Sequence, residues 1–450
     1  MSSGGGRRRG IRRAVAVLAV TLTAALLAGC STTSDAPHVT AIGAKTGTRM
    51  PAAIAKQLQG VLDNAVKISG ASGGIAGVWA PWSGTWTAAS GTASKAKGSA
   101  SVTTHSSFRI GSITKPATCT VLLDLVAAHK VKLTDRVSKY LPRMVGVNDV
   151  TLGELCDNTS GLADYWGALT PQIVTNPGRS WDPIELVNTA LGESAPKAPG
   201  HTWSYSNAGF VLLGVALQAA TGENWQHLYA KYVTDRLGIS ATTTLPTGTS
   251  LPSPMLRGYA ADHDIVTGAT ECSTTVDDTA LSPSALQTAG GLVSTLNDTA
   301  SLIHAVASGA LLPKGYAAQQ QQARRISGSM PSWAKYGLGV ETMGPLVGHA
   351  SAVPGYSSAA YSDPTTGLTV VVVVNNSTPG ANFARLVALE LASIGSKAPP
   401  SQGKKLPALA LPWSLSQLES VLPYETGCKA KAGKPSSGAL AEIAAIGPRY

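Results

Sequence analysis

Ser112-Ile113-Thr114-Lys115 opens an apolar run in which Val121, Leu122, Leu125 and Val126 recur at helical spacing. Residues three apart on a helix share a face, so the amine of Lys115 can sit beside the hydroxyl of Ser112 and take its proton. That is the nucleophile-and-base pair of serine acyl transfer. Ser-x-x-Lys also occurs at Ser94, Ser194, Ser332 and Ser401, and context removes each. Ser94 and Ser401 lie in Lys/Gly/Ser/Pro-rich loops, Pro196 interrupts the helix Ser194 would need, and Ser332 leads into the strand-like Tyr336-Gly337-Leu338-Gly339.

Around this helix the chain has 450 residues, 44% of them hydrophobic and only three of them Phe, which suits one large core packed with small residues. The net charge of +10 includes Arg7, Arg8, Arg9, Arg12 and Arg13, whereas all 25 acids follow residue 29. No basic run is interleaved with aromatics, so nucleic acid is not an expected partner. The five arginines precede the apolar stretch Ala14–Leu27 and the sequence Leu27-Ala28-Gly29-Cys30. This pattern predicts a lipoprotein signal peptide over 1–29, export, and a membrane anchor through lipid on Cys30. Four cysteines remain, Cys119, Cys156, Cys272 and Cys428. In an exported protein they fit two disulfides in one of three connectivities, or four buried thiols. No cysteine pair has metal-ligand spacing and no His-x-x-x-His occurs, so neither a metal nor another cofactor is expected.

Residues 30–50 read as a polar tether. A helix is predicted over 52–68, a hairpin over Gly74–Ala80 and Thr85–Ala89, and helical pieces between Lys130 and Ala289. Strands follow over Gly337–Val347, Ser357–Ser362 and Gly367–Asn375, then a helix over 382–394. Strands near both ends with helices between them give an α/β (α+β) domain over 51–395, its antiparallel sheet assembled from both chain ends with a helical lobe inserted. Residues 396–450 form a Pro- and Lys-rich tail with one short amphipathic piece near 413–421. Gly70-Ala71-Ser72-Gly73-Gly74 matches the Gly-x-Ser-x-Gly nucleophile motif but lies in helix-to-strand order, the reverse of what that turn needs.

Tyr205-Ser206-Asn207 precedes the helical run Phe210–Ala220 and is the only Tyr-x-Asn in the chain. Further motifs are Phe108-Arg109-Ile110-Gly111, Asn158-Thr159-Ser160-Gly161-Leu162, Ala289-Gly290-Gly291-Leu292-Val293-Ser294 and His349-Ala350-Ser351-Ala352-Val353-Pro354-Gly355-Tyr356. In this ordered set, over roughly 52–395, the chain resembles the serine β-lactamase and penicillin-recognising superfamily, closest to class C β-lactamases and serine D-Ala-D-Ala carboxypeptidases. The resemblance implies a β-lactamase/transpeptidase-like fold and catalysis through an acyl-enzyme. It implies Ser112 as nucleophile, Lys115 and Tyr205 as the proton-passing pair, and Asn207 as the group holding the substrate amide. His349 would supply a hydrogen bond or positive charge near the tyrosine, and the N–H groups of Ser112 and Ala352 would form the oxyanion hole. Because relatives pack the Asn158 turn near the nucleophile helix, it also favours Cys119–Cys156, leaving Cys272–Cys428.

Two departures bear on substrate. Ser351 stands where such a motif usually has Gly, and its side chain is expected to crowd the strand edge along which a peptide-like substrate lies. Val340-Glu341-Thr342-Met343 stands where carboxypeptidases of this type tend to have a cation for the terminal carboxylate. The reading is an exported serine hydrolase acting on a peptide-like amide, such as a peptidoglycan peptide or a β-lactam. Its rivals are an esterase for small esters and a non-catalytic binding member of the same fold.

Overall fold

Val370–Val374 are buried on both faces: Val370, Val372 and Val374 join one hydrophobic cluster, Val371 and Val373 the other. A strand apolar at every position needs cover on both sides, and each fully buried valine contributes about 1.5–3 kcal/mol. The computed structural model describes residue 42 and residues 48–147, 149–264, 267–326 and 331–429. The predicted signal peptide, Cys30, most of the tether and residues 430–450 lie outside the described residues.

The chain opens with α1 (Ala52–Ser69), β1 (Gly73–Ala80) and β2 (Gly84–Gly91). The intervening lobe contains β3 (Phe108–Arg109), α2 (Thr114–Ala127), α3 (Leu152–Cys156), α4 (Trp166–Thr175), α5 (Pro183–Glu193), α6 (Asn207–Thr221), α7 (Trp225–Tyr229) and α8 (Asp235–Leu237). After these come β4 (Tyr259–His263), β5 (Thr270–Asp277), β6 (Val293–Ser294), α9 (Leu296–Ser308) and α10 (Tyr316–Gln321). The sheet resumes with β7 (Arg324–Arg325), β8 (Ala334–Tyr336), β9 (Glu341–Met343), β10 (Leu346–Val353), β11 (Tyr356–Ser362) and β12 (Thr369–Val374), followed by α11 (Gly380–Gly395) and α12 (Leu415–Val421). The eight-stranded sheet runs β2-β1-β12-β11-β10-β9-β8-β7, antiparallel throughout. The expected sheet from both chain ends is borne out. Helices α1 and α11 cover one face, while α2, α6 and α9 lie with the cluster on the other.

Three expectations need correction. The strand predicted over 337–347 is broken, because Gly339 and Gly344 take φ of +70° and +56°, so that β9 and β10 are separate. The lobe is not purely helical: β4 and β5 pair as a hairpin. Its second strand, Thr-rich and exposed along nearly its whole length, carries no apolar alternation for a sequence reading to detect. The tail does not leave the domain at residue 396. Trp413, Leu418, Val421 and Leu422 are buried in the cluster beneath α11, and Cys428 is bonded to Cys272 on β5. No helix among the described residues is long and apolar enough to cross a membrane.

Candidate active site

The strand pair β3–β6 delivers the chain to Gly111, where φ of +51° starts a single tight turn, Gly111–Ile113, that feeds α2. A Cβ at Gly111 would lie 2.0 Å from the Ser351 hydroxyl, so both the dihedral and the space require glycine. Ser112 thus stands in the turn two residues before the helix starts at Thr114, and Lys115 in its first turn. The Ala289–Ser294 segment braces this turn: Leu292 accepts from the Ile110 N–H at 3.1 Å and donates its own N–H to Thr114 Oγ1 at 3.2 Å.

Lys115 is fully buried, and its Nζ reaches Ser112 Oγ at 3.1 Å, Asn207 Oδ1 at 2.8 Å and the Ala289 carbonyl at 2.8 Å. Burial pushes its pKa down to about 7, against the attraction of Asp164 and Glu341. At neutral pH a large share of the amine is therefore uncharged. Of its three partners only Ser112 has a hydrogen to offer, since the carboxamide oxygen and the carbonyl only accept. The lone pair of neutral Lys115 accordingly faces the Ser112 hydroxyl. Tyr205 donates its O–H to Ser112 Oγ at 2.7 Å from the other side.

The Asn158 turn holds the tyrosine segment in place. Asn158 takes φ of +60°, its Oδ1 accepts from the Ser206 N–H at 3.1 Å, and its carbonyl accepts from the Ser204 N–H at 2.8 Å. Ser206 caps α6 by accepting from the Gly209 N–H at 3.1 Å. Cys119 on α2 is disulfide-bonded to Cys156 beside this turn, so the helix carrying the serine and the loop carrying the tyrosine share a covalent tie.

Asp164 belongs to the same cluster, and the sequence reading missed it. Its Oδ2 accepts from Asn207 Nδ2 at 2.9 Å, completing a chain Lys115–Asn207–Asp164. Burial pushes the carboxyl up to about 6, opposed by the Asn207 amide and Lys115. The only signal was its place two residues past Leu162 of a recognised motif; no spacing links it to an asparagine 43 residues on. Asn207, expected to face the substrate amide, spends its carboxamide between Lys115 and Asp164.

The third motif differs from expectation in two ways. His349 is buried, its Nδ1 lies 2.5 Å from the Ala350 carbonyl, and its Nε2 lies 3.1 Å from the Tyr336 hydroxyl. The carbonyl fixes the proton on Nδ1, leaving Nε2 to accept from Tyr336. Burial pushes its pKa down to about 4, so at neutral pH it carries no positive charge toward Tyr205, whose ring centroid is 6.2 Å away. The Ser351 side chain, expected at the strand edge, is instead wholly enclosed and accepts the backbone N–H of Ser112 at 2.8 Å. Glu341, in place of a cation, is buried and paired with Arg385 at 2.8 Å.

Strand β9 pairs with β10 only as far as Gly348, so the edge of β10 from His349 to Val353 is open. Val353 and Tyr356 close the β10–β11 hairpin across Pro354-Gly355; by antiparallel alternation, the N–H of Ala352 turns away from β11 to that open edge. Beside Ala352 lies a cavity of about 70 Å³ whose walls include Trp166, Val174, Ala260, Val353 and Thr378. Among the described residues no group of three or more His, Cys, Asp or Glu side chains could hold a metal ion.

A serine–lysine–tyrosine cluster between a two-faced antiparallel sheet and an inserted helical lobe defines the serine β-lactamase/transpeptidase fold. The chain belongs to the Beta-lactamase family, which it matches over residues 58–393. Among solved structures it is similar to a D-stereospecific amidohydrolase from Streptomyces sp., at 28% identity over 73% of this chain and 95% of that one, with a TM-score of 0.62. It is also similar to D-amino acid amidase from Ochrobactrum anthropi SV3, solved with L-phenylalanine amide, at 25% identity over 72% and 92% of the two chains and a TM-score of 0.63. A 67-residue stretch is 46% identical to a D-aminopeptidase of Cereibacter sphaeroides, covering 15% of this chain and 12% of that protein. The chain thus matches about an eighth of that curated relative's length.

Proposed function

We propose that the protein is a serine amidohydrolase that cleaves the amide bond of a D-amino acid residue through an acyl-enzyme. The observation that carries this reading is the Ser112 hydroxyl held between the Tyr205 O–H at 2.7 Å and a lysine whose burial brings its pKa down to about 7. Ser112 Oγ bonds to the carbonyl carbon while its proton passes to Lys115, directly or through Tyr205. The carbonyl electron pair moves to oxygen, facing the Ala352 N–H. The tetrahedral adduct collapses, the C–N bond breaks, and the amine leaves with that proton. Water then attacks the ester, using the same base.

The choice of amide rests on the activities of the two similar solved enzymes, a D-stereospecific amidohydrolase and a D-amino acid amidase. Glu341, held by Arg385, leaves the strand after Gly337-Leu338-Gly339 without a free cation for a terminal carboxylate, which favours an amide or aminopeptide over a carboxypeptidase substrate. The cavity beside Ala352 is suited to the side chain of the acyl residue. The test is a panel of D- and L-amino acid amides with matched activated esters and a fluorescent penicillin. Faster turnover of D-amides than L-amides supports the reading. Hydrolysis of esters alone would replace it with an esterase, and binding without turnover would replace it with a binding protein.

We further propose that the enzyme works outside the membrane on D-residue-containing wall peptides, anchored by lipid on Cys30. The support is Leu27-Ala28-Gly29-Cys30 behind five arginines. Cys30→Ser is expected to release the protein from membranes or stall its processing. A Cys30→Ser protein processed and membrane-bound like wild type would end this part of the proposal.

A further inference from the structure

The N–H of Ser112 is the first donor an oxyanion at this site would call on, yet it is already given to the Ser351 hydroxyl at 2.8 Å. Ser351 is 0% exposed, and its hydroxyl is wedged against the Gly111–Ser112 backbone, where even a Cβ on Gly111 would collide with it. A substrate oxygen entering from the open edge of β10 therefore meets the Ala352 N–H but not that of Ser112. A second observation lies directly across the ladder. Ser351 pairs with Ser358 on β11, so the two side chains share a face at ordinary cross-strand separation. Ser358 is also fully enclosed, and its hydroxyl finds no partner among the described residues. A buried hydroxyl without a partner is destabilising, so it is an unusual neighbour for a serine that has one.

We propose that Ser351 is a two-position latch: closed, it holds the Ser112 N–H away from the substrate; open, it turns about χ1 to bond Ser358 and releases that N–H to the oxyanion. Serine side chains exchange among staggered rotamers, so no backbone movement is needed. In the closed position Ser358 is left unpaired; in the open position the two serines satisfy one another. The latch lowers turnover most where the oxyanion must be stabilised most, so it penalises amides more than activated esters. This inference rests on the reading of Ser112 as the nucleophile.

The experiment measures kcat and KM of wild type, Ser351→Ala, Ser351→Gly, Ser358→Ala and the Ser351→Ala/Ser358→Ala double variant, on one amide and its matched activated ester. Alanine at either position removes only a hydroxyl, so both single variants keep the strand pairing. One internal hydrogen bond is worth a factor of roughly two to ten. Ser351→Ala and Ser351→Gly should each raise kcat on the amide by about that factor, with KM little changed and a smaller gain on the ester. Ser358→Ala should lower kcat by a similar factor, and the double variant should match Ser351→Ala alone. A gain in Ser351→Gly without one in Ser351→Ala would mean crowding by Cβ and overturn the latch. So would unchanged or reduced kcat in Ser351→Ala, or a Ser358→Ala enzyme equal to wild type. Serine-directed labelling of wild type at Ser112 is scored first: its failure counts against the catalytic reading, whereas the variant pattern bears on the latch alone.

Discussion

Ser112→Ala is expected to lose amide turnover by on the order of 10⁴-fold or more while remaining folded. The substitution removes the hydroxyl that both Lys115 and Tyr205 reach, the atom placed to bond to a carbonyl carbon. Stability should change by about 1 kcal/mol, because one buried hydroxyl and its hydrogen bonds are deleted while the backbone is untouched. Lys115 keeps its bonds to Asn207 and Ala289, and the Ser112 backbone N–H keeps Ser351. Rate assays beside thermal unfolding measure both sides of the expectation. Turnover surviving at near wild-type rate in a folded Ser112→Ala protein would remove Ser112 from the chemistry.

The second large effect belongs to Lys115. Lys115→Met keeps a side chain of similar length without an amine and should cost about 10²–10⁴-fold, the usual loss on removing a general base. Its pH dependence carries a sign that a purely structural lysine would not give. Burial brings the Lys115 pKa from its ordinary 10.5 to about 7, so the proton-accepting form grows as pH rises through that value. The acid limb of kcat/KM for wild type should fall near pH 7. Asp164 raises the Lys115 pKa by its charge, so Asp164→Asn should move that limb to lower pH with the fold intact. A limb that stays in place, or moves upward, would contradict the Lys115–Asn207–Asp164 linkage.

The parts of the site legible in the sequence are those set by short-range geometry. Ser112 and Lys115 are one helical turn apart, and Tyr205 and Asn207 flank a helix start, so spacing and local pattern sufficed to single them out. The sheet was likewise readable from Val370–Val374, whose apolar run cannot be exposed on either face. What escaped depends on long-range approach. Asp164 meets Asn207 only because the Asn158 turn folds back on the start of α6, with Ser206 bonded to both Asn158 and Ala163. Strand alternation puts Ser351 on the same face as His349, but nothing in the sequence says that this face meets the Ser112 amide. The docking of the tail also escaped: an amphipathic piece near 413–421 was legible, but no local pattern says that Trp413, Leu418 and Val421 pack beneath α11.

The central claim, that Ser112 is the nucleophile of an acyl-enzyme, is tested most directly by mass spectrometry after treatment with a fluorophosphonate. One adduct per chain, recovered on the peptide containing Ser112 and lost in Ser112→Ala, is the predicted result. An adduct on another residue, or a wild-type protein that takes up no serine-directed probe at all, would contradict it.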